Sequence, residues 1–287
     1  MKEKTGLVLE GGALRGLFSA GVMDVLMENG VEFDGIIGVS AGAAFGCNYK
    51  SRQPGRAIRY NMKFAKDWRY CSVRSLIKTG DLFGGEFDYH YLPTYLDIFD
   101  TKAFDENPME FYAVCTDVET GKAIYKKLDK CSYECYEWIR ASASMPLASK
   151  IVNIGNWKLL DGGISDSIPL KYFQSIGYER NLVVTTQPEG YQKGKNRLLP
   201  LIRHSMRKFP HFIEACNNRH LMYNEQLKHL ENEERKGKTL VVRPDSKLEI
   251  GHISHDPYEM KETYEIGRKT AERRLSEMLD FIAAGQK

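Results

Sequence analysis

Apolar positions along the chain fall into two spacings that alternate from the first residues onward. Gly6-Leu7-Val8-Leu9 is a continuous apolar run of strand length, closed by Glu10. Leu17, Phe18, Val22, Val25 and Leu26 then recur at helical spacing, and Asn29-Gly30 supplies the stop. Gly35-Ile36-Ile37 leads through Val39 as a second strand, and the small residues after Ser40 predict a second helix. Residues 110–116 and 123–128 read as strands joined by a turn at 117–121. A helix is expected over 133–143 and a hairpin over 151–160, turning at Gly155-Asn156. Leu182-Val183-Val184 and Leu240-Val241-Val242 are strongly apolar strands, and 258–284 carries one long, highly charged helical pattern.

Strands that alternate with helices argue for an α/β fold of three layers, α/β/α, around a central, mainly parallel sheet. No Pro/Gly/Ser-rich linker divides the 287 residues, so 1–287 reads as a single domain. Its motif-bearing core covers about 6–175, and C-terminal strands and helices cover 180–285. Residues 50–105 and 188–235 read as helical and loop elaborations. The net charge of +3 is small and gives no reason to expect nucleic acid as a partner. The six cysteines are scattered. Cys131 and Cys135 stand four apart without a second pair at zinc-site spacing, so reduced thiols, no metal and no cofactor are expected. The N-terminal apolar run is too short for a signal sequence, and no stretch approaches membrane-spanning length. These features lead to the expectation of a cytoplasmic protein that reaches a membrane only from its surface.

Chemistry is concentrated at the strand ends. In Gly38-Val39-Ser40-Ala41-Gly42 a serine stands at the apex of a strand-to-helix turn, flanked by residues small enough for close packing. Such a turn exposes a hydroxyl that still needs a base to become nucleophilic. Glu10-Gly11-Gly12-Ala13-Leu14-Arg15-Gly16 lies between the first strand and the first helix. Consecutive N–H groups there can converge on a phosphate or on an ester oxyanion. The Gly-x-Gly-x-x-Gly spacing of a dinucleotide loop is absent. Both loops belong at the carboxyl edge of a parallel sheet, where such folds bind ligands. For the base, none of the seven histidines sits in a compact loop directly after a predicted strand, whereas Asp161-Gly162-Gly163 does. The combination suggests a Ser40–Asp161 dyad.

Taken together, these blocks resemble the patatin-like phospholipases. Residues 10–16 are similar to that family's oxyanion loop, 38–42 to its nucleophile elbow and 161–163 to its aspartate motif. Arg140-Ala-Ser-Ala-Ser-Met-Pro146 resembles the element that precedes the aspartate. The resemblance spans about residues 6–170 and implies a patatin-like fold and a metal-independent serine lipid acyl hydrolase. In it Ser40 is the nucleophile and Asp161 the base. Gly11, Gly12 and Ala13 supply oxyanion donors, Arg15 braces their loop, and Gly38, Gly42 and Gly162 permit close packing. Substrates would be phospholipids, lysophospholipids or other acyl esters. Two residues depart from the pattern: Glu10 replaces the usual Asp, and Ala13 replaces a third glycine, at a cost on the order of 1 kcal/mol if φ is positive there. Without a histidine, Asp161 is expected to have a raised pKa through burial.

Other readings remain at this point. An acyltransferase would use the same acyl-enzyme, a silent module would bind lipid without chemistry, and an α/β-hydrolase triad would draw on His252 or His255. Between Glu189 and Glu214 there is no acidic residue, and Lys193, Lys195, Arg197, Arg203, Arg207 and Lys208 are interleaved with apolar residues. Residues 190–213 are therefore expected either to cap the acyl pocket on an anionic bilayer or to pack as a solvated helix. Aromatic residues over 83–99 are candidates for an acyl channel.

Overall fold

The computed structural model describes residues 3–285. Among them, eight strands form one sheet: β1 (Thr5–Leu9), β2 (Gly35–Val39), β3 (Glu110–Asp117), β4 (Ala123–Lys127), β5 (Val152–Ile154), β6 (Trp157–Asp161), β7 (Arg180–Val184) and β8 (Thr239–Val242). The order is β5-β6-β3-β2-β1-β7-β8, with β4 also paired to β3. The five strands from β3 to β8 are parallel, whereas β4 and β6 run antiparallel to β3 and β5 runs antiparallel to β6.

Burial on both faces explains the unbroken apolar runs. Leu7, Leu9, Ile36 and Phe111 face one core with the helices α1 (Gly16–Glu28) and α2 (Ala41–Lys50) and the helix Pro257–Arg273. Their neighbours Val8, Ile37, Tyr112 and Val183 face the other, with Phe173 and with Tyr223 and Leu230 of the long helix Pro210–Arg235. The alternation is the period-two pleat, filled on each side by a different helical layer.

One expectation is corrected. The single helix over 258–284 is two, Pro257–Arg273 and Leu275–Ala284. They part at Arg274 (φ −105°, ψ 11°), whose Nη1 donates to the Val241 carbonyl at 2.6 Å. Docking that side chain on β8 turns the chain so that Met278 and Ile282 are buried. The segment 190–213 packs on the body with one side. Ile202 and Phe212 are buried with Val118, Leu160 and Ile164, while Leu198 and Leu201 stay 54% and 59% exposed.

Candidate active site

Register alone brings three loops to one level. Leu9 pairs with Gly38, Val39 with Val114, and Cys115 with Asp161. Residues 10–12, Ser40 and Asp161 therefore stand side by side at one edge of the sheet. β2 arrives there travelling up and β6 travelling down. The carboxylate thus reaches the carboxyl edge of the parallel strands on an antiparallel one, a direction that the local apolar pattern does not encode.

Ser40 sits at φ 55° and ψ −123° and is 9% exposed. A non-glycine residue in such a conformation carries strain of about 1–3 kcal/mol, which the surroundings must overcome. They do so through close packing and one anchor. A Cβ on Gly42 would lie 2.4 Å from the Leu9 carbonyl oxygen, and one on Gly38 would lie 2.4 Å from that of Gly42. Only glycines let α2 start this close to β1 and β2. The anchor is Ser142, fully buried, whose Oγ accepts from the Ser40 N–H at 2.9 Å and donates to the Val114 carbonyl at 2.6 Å. The elbow is thereby fastened to β3.

Asp161 is held by the same segment: its N–H donates to the Ser144 carbonyl at 2.8 Å. Its own carbonyl accepts from the Thr116 hydroxyl at 2.8 Å, and its Oδ1 accepts from the Gly163 N–H at 2.8 Å. Gly162 lies against β3, where a Cβ would come within 2.1 Å of the Val114 carbonyl oxygen. Burial pushes the Asp161 carboxyl above its ordinary value. The Arg219 guanidinium, the Ser40 hydroxyl and the Gly163 N–H pull it back.

Glu10 fixes the glycine loop from behind. Its carboxyl accepts from the Tyr223 hydroxyl at 2.6 Å and from the Thr186 N–H at 2.6 Å. Burial raises its pKa against those bonds and the nearby Lys193 and Arg15. In front, among the described residues, no protein acceptor takes the N–H groups of Gly11, Gly12 and Ala13. Gly11 lies against the elbow, since a Cβ there would be 2.8 Å from that of Ser40. Ala13 is left-handed, at φ 50°. Arg15 follows on the short turn Ala13–Arg15, with its Nη2 3.2 Å from His252 Nε2. The remaining histidine candidate, His255, contacts the Ala65 carbonyl. Among the described residues no imidazole hydrogen-bonds Ser40 or Asp161.

A family model described as patatin-like phospholipase matches residues 7–173, more than half of the chain. The chain belongs to the patatin-like phospholipase family. A second model, a domain of unknown function (DUF6363), matches residues 209–283. An uncharacterized protein YjjU of Escherichia coli is 29% identical over 204 residues, which cover 64% of this chain and 52% of that protein. A lysophospholipase nte1 of Aspergillus niger is 29% identical over 179 residues, covering 60% of this chain and 11% of its own length. The chain thus spans about half of the first relative and about a tenth of the second. Among solved structures, VipD from Legionella pneumophila aligns with TM-score 0.49 at 11% identity, over 96% of this chain and 67% of that one.

In this patatin-like chain the elbow opens into an apolar pocket of about 860 Å³, its open mouth included. Ala13, Leu14, Ser40 and Ala44 line it, and Phe83, Tyr89, Leu92 and Phe99 contribute aromatic and aliphatic wall. Those last four come from the segment expected to line a channel. No helix of the described residues is long and apolar enough to cross a membrane. Two neighbours of the site escaped the sequence reading. Arg219 lies on Pro210–Arg235 among other cations and histidines, and nothing in its local pattern points to Asp161. Lys193 was grouped with the basic segment, yet its ammonium lies 4.3 Å from the Tyr223 ring centroid, beside Glu10.

Proposed function

We propose that this chain hydrolyses carboxylic esters of lipids, single-chain phospholipids foremost, through a Ser40–Asp161 dyad. The observation that carries the reading is the Ser40 hydroxyl set against the Asp161 carboxyl, with Ser40 lining an apolar pocket and three backbone N–H groups beside it that no protein acceptor takes. Ser40 Oγ attacks the acyl carbonyl carbon and its proton passes to Asp161. The N–H groups of Gly11, Gly12 and Ala13 hold the oxyanion, at about 3 kcal/mol for each well-aimed donor. When the tetrahedral intermediate collapses, the ester C–O bond breaks and Asp161 returns the proton to the leaving alcohol. Water then adds to the acyl-serine, giving its proton to Asp161, and the acid departs as Ser40 regains a proton. A carboxylate at its ordinary pKa would be a weak base at neutral pH, and burial strengthens this one.

Labelling with a long-chain fluorophosphonate tests the nucleophile. The protein should be modified, and Ser40→Ala should not. Equal labelling of both, or full esterase activity in Asp161→Ala, would sink the dyad. We further propose peripheral contact with anionic membranes through exposed Leu198 and Leu201 and the cations Lys195, Arg197, Arg203, Arg207 and Lys208. Exchanging those five cations for Gln should weaken sedimentation with anionic vesicles, and unchanged binding would count against it.

A further inference from the structure

The stretch 209–283, matched by the model of unknown function, contributes the long helix Pro210–Arg235. One face of that helix carries Arg219, Tyr223 and Gln226, spaced i, i+4 and i+7, so their side chains stand in one row. All three reach loops of the site. Arg219 Nε donates to the Gly163 carbonyl at 2.5 Å, where the Ser167 hydroxyl also donates at 2.7 Å. Tyr223 donates its hydroxyl to Glu10, behind the glycine loop, at 2.6 Å. Gln226 Oε1 accepts from the N–H groups of Ser167 and Ile168, and its Nε2 donates to Asp166. Farther along the same stretch, His252 meets Arg15. The aspartate loop and the glycine loop are thus both fastened to residues outside 7–173, the extent of the patatin-like match.

Arg219 does more than fasten. Gly163 is held at both ends, its N–H donating to Asp161 Oδ1 at 2.8 Å and its carbonyl taking Arg219. A Cβ placed on Gly163 would lie 3.0 Å from both Asp161 Oδ1 and Arg219 Nη2, so carboxyl and guanidinium close on one point. Nε is committed to the Gly163 carbonyl, and the carboxyl keeps its bonds to the Ser40 hydroxyl and the Gly163 N–H. The cation therefore acts on Asp161 through its field without taking an oxygen from Ser40. The other ionisable groups around Asp161 are neutral at neutral pH: burial pushes up Cys115, its partner on β3, and Tyr89 of the pocket wall. Lys193 and His252 face Arg219 instead; burial chiefly, with Arg219 among the lesser causes, lowers both. Among the described residues Arg219 is the one charge that opposes burial at Asp161.

That arrangement lies between two unproductive limits. A buried carboxyl with no cation nearby is held as the neutral acid and cannot receive the Ser40 proton. One locked in a close ion pair is too weak a base. We propose that residues 209–283 are a working part of the active site, with Arg219 the positioning residue that holds the Asp161 loop and supplies the one charge facing its carboxyl. This inference rests on the ester-hydrolase reading of Ser40 and Asp161. It gives the helix Pro210–Arg235 a task that packing on the sheet does not require.

Two readouts separate the inference from that reading. The first is the pH profile of kcat/KM on a short-chain nitrophenyl ester. Arg219→Met removes the charge, and Arg219→Gln removes it while keeping a donor for the Gly163 carbonyl. Both should move the acidic limb to higher pH by about one unit or more, with about a tenfold loss of kcat/KM below it, and Arg219→Lys should return the limb towards wild type. Gln226→Leu, which loosens the same helix without altering charge, should leave the limb in place. A loss that is equal at every pH in the Arg219 variants, an unaltered profile, or a limb moved as far by Gln226→Leu overturns the inference. The second readout needs no turnover. In protein carrying 13C at the aspartate carboxyl carbons, the Asp161 signal is the one lost in Asp161→Asn. Its titration midpoint should be higher in Arg219→Gln than in wild type, and an unmoved midpoint overturns the inference. If wild type cleaves no ester while the midpoint still moves, the hydrolase reading fails and the coupling of Arg219 to Asp161 stands.

Discussion

Ser142 gives the sharpest test of how the elbow is held. Ser142→Ala removes one fully buried oxygen that accepts from Ser40 at 2.9 Å and donates to Val114 at 2.6 Å. Each orphaned partner costs about 1–3 kcal/mol when left dry, so about 2–6 kcal/mol is at stake in the unrelaxed structure. The elbow will not stay unrelaxed. Its conformation stores about 1–3 kcal/mol of strain, and with the anchor gone the chain can release part of that by rotating Ser40 away. The measured stability loss should therefore be only about 1–3 kcal/mol, with the remainder of the effect appearing in catalysis. A displacement near 1 Å typically costs about a hundredfold in rate. Urea unfolding followed by circular dichroism, with kcat/KM on a short-chain nitrophenyl ester, reads both quantities on one preparation. Ser142→Ala that loses stability yet keeps kcat/KM within threefold of wild type would refute the anchoring argument. Ser142→Thr, which keeps the hydroxyl, should fall between the two.

Ala13→Gly should stabilise the fold by about 1 kcal/mol by relieving the left-handed alanine at φ 50°, a rise of roughly 2 °C in thermal midpoint; an unchanged midpoint would deny the strain. Because burial raises Asp161 and the base must be deprotonated, activity should climb with pH along a limb displaced above the ordinary carboxylate range. A pH–rate profile of kcat/KM checks this, and a limb at an unshifted aspartate value would contradict it. Asp24 accepts from Tyr264 and Gly55 and is raised from 3.8 to about 6, chiefly by burial. A raised folded pKa gives stability that is whole below the unfolded value and lost as pH rises through the folded one. Wild type should therefore lose about 2–3 kcal/mol relative to Asp24→Asn between pH 4 and pH 7, and parallel stability curves would refute the assignment.

Much of this was written locally in the chain. The parallel strands are buried on both faces, so each reads as an apolar run, and the glycines that mark the elbow are required by contacts one or two strands away. Glu10-Gly11-Gly12, Ser40 and Asp161 were legible because each closes such a run. What was not legible depends on pairing. The direction of β6 follows from its hairpin with β5 and its ladder to β3, and alternation along five residues carries no direction. Ser142 lay in a block singled out only by resemblance, and its role needs the Ser40 N–H, 102 positions away in sequence. Arg219 and Lys193 were hidden by their surroundings, because a basic stretch looks alike whether its cations face solvent or a carboxyl. The break at Arg274 was missed for the same reason: its cause is a carbonyl on β8.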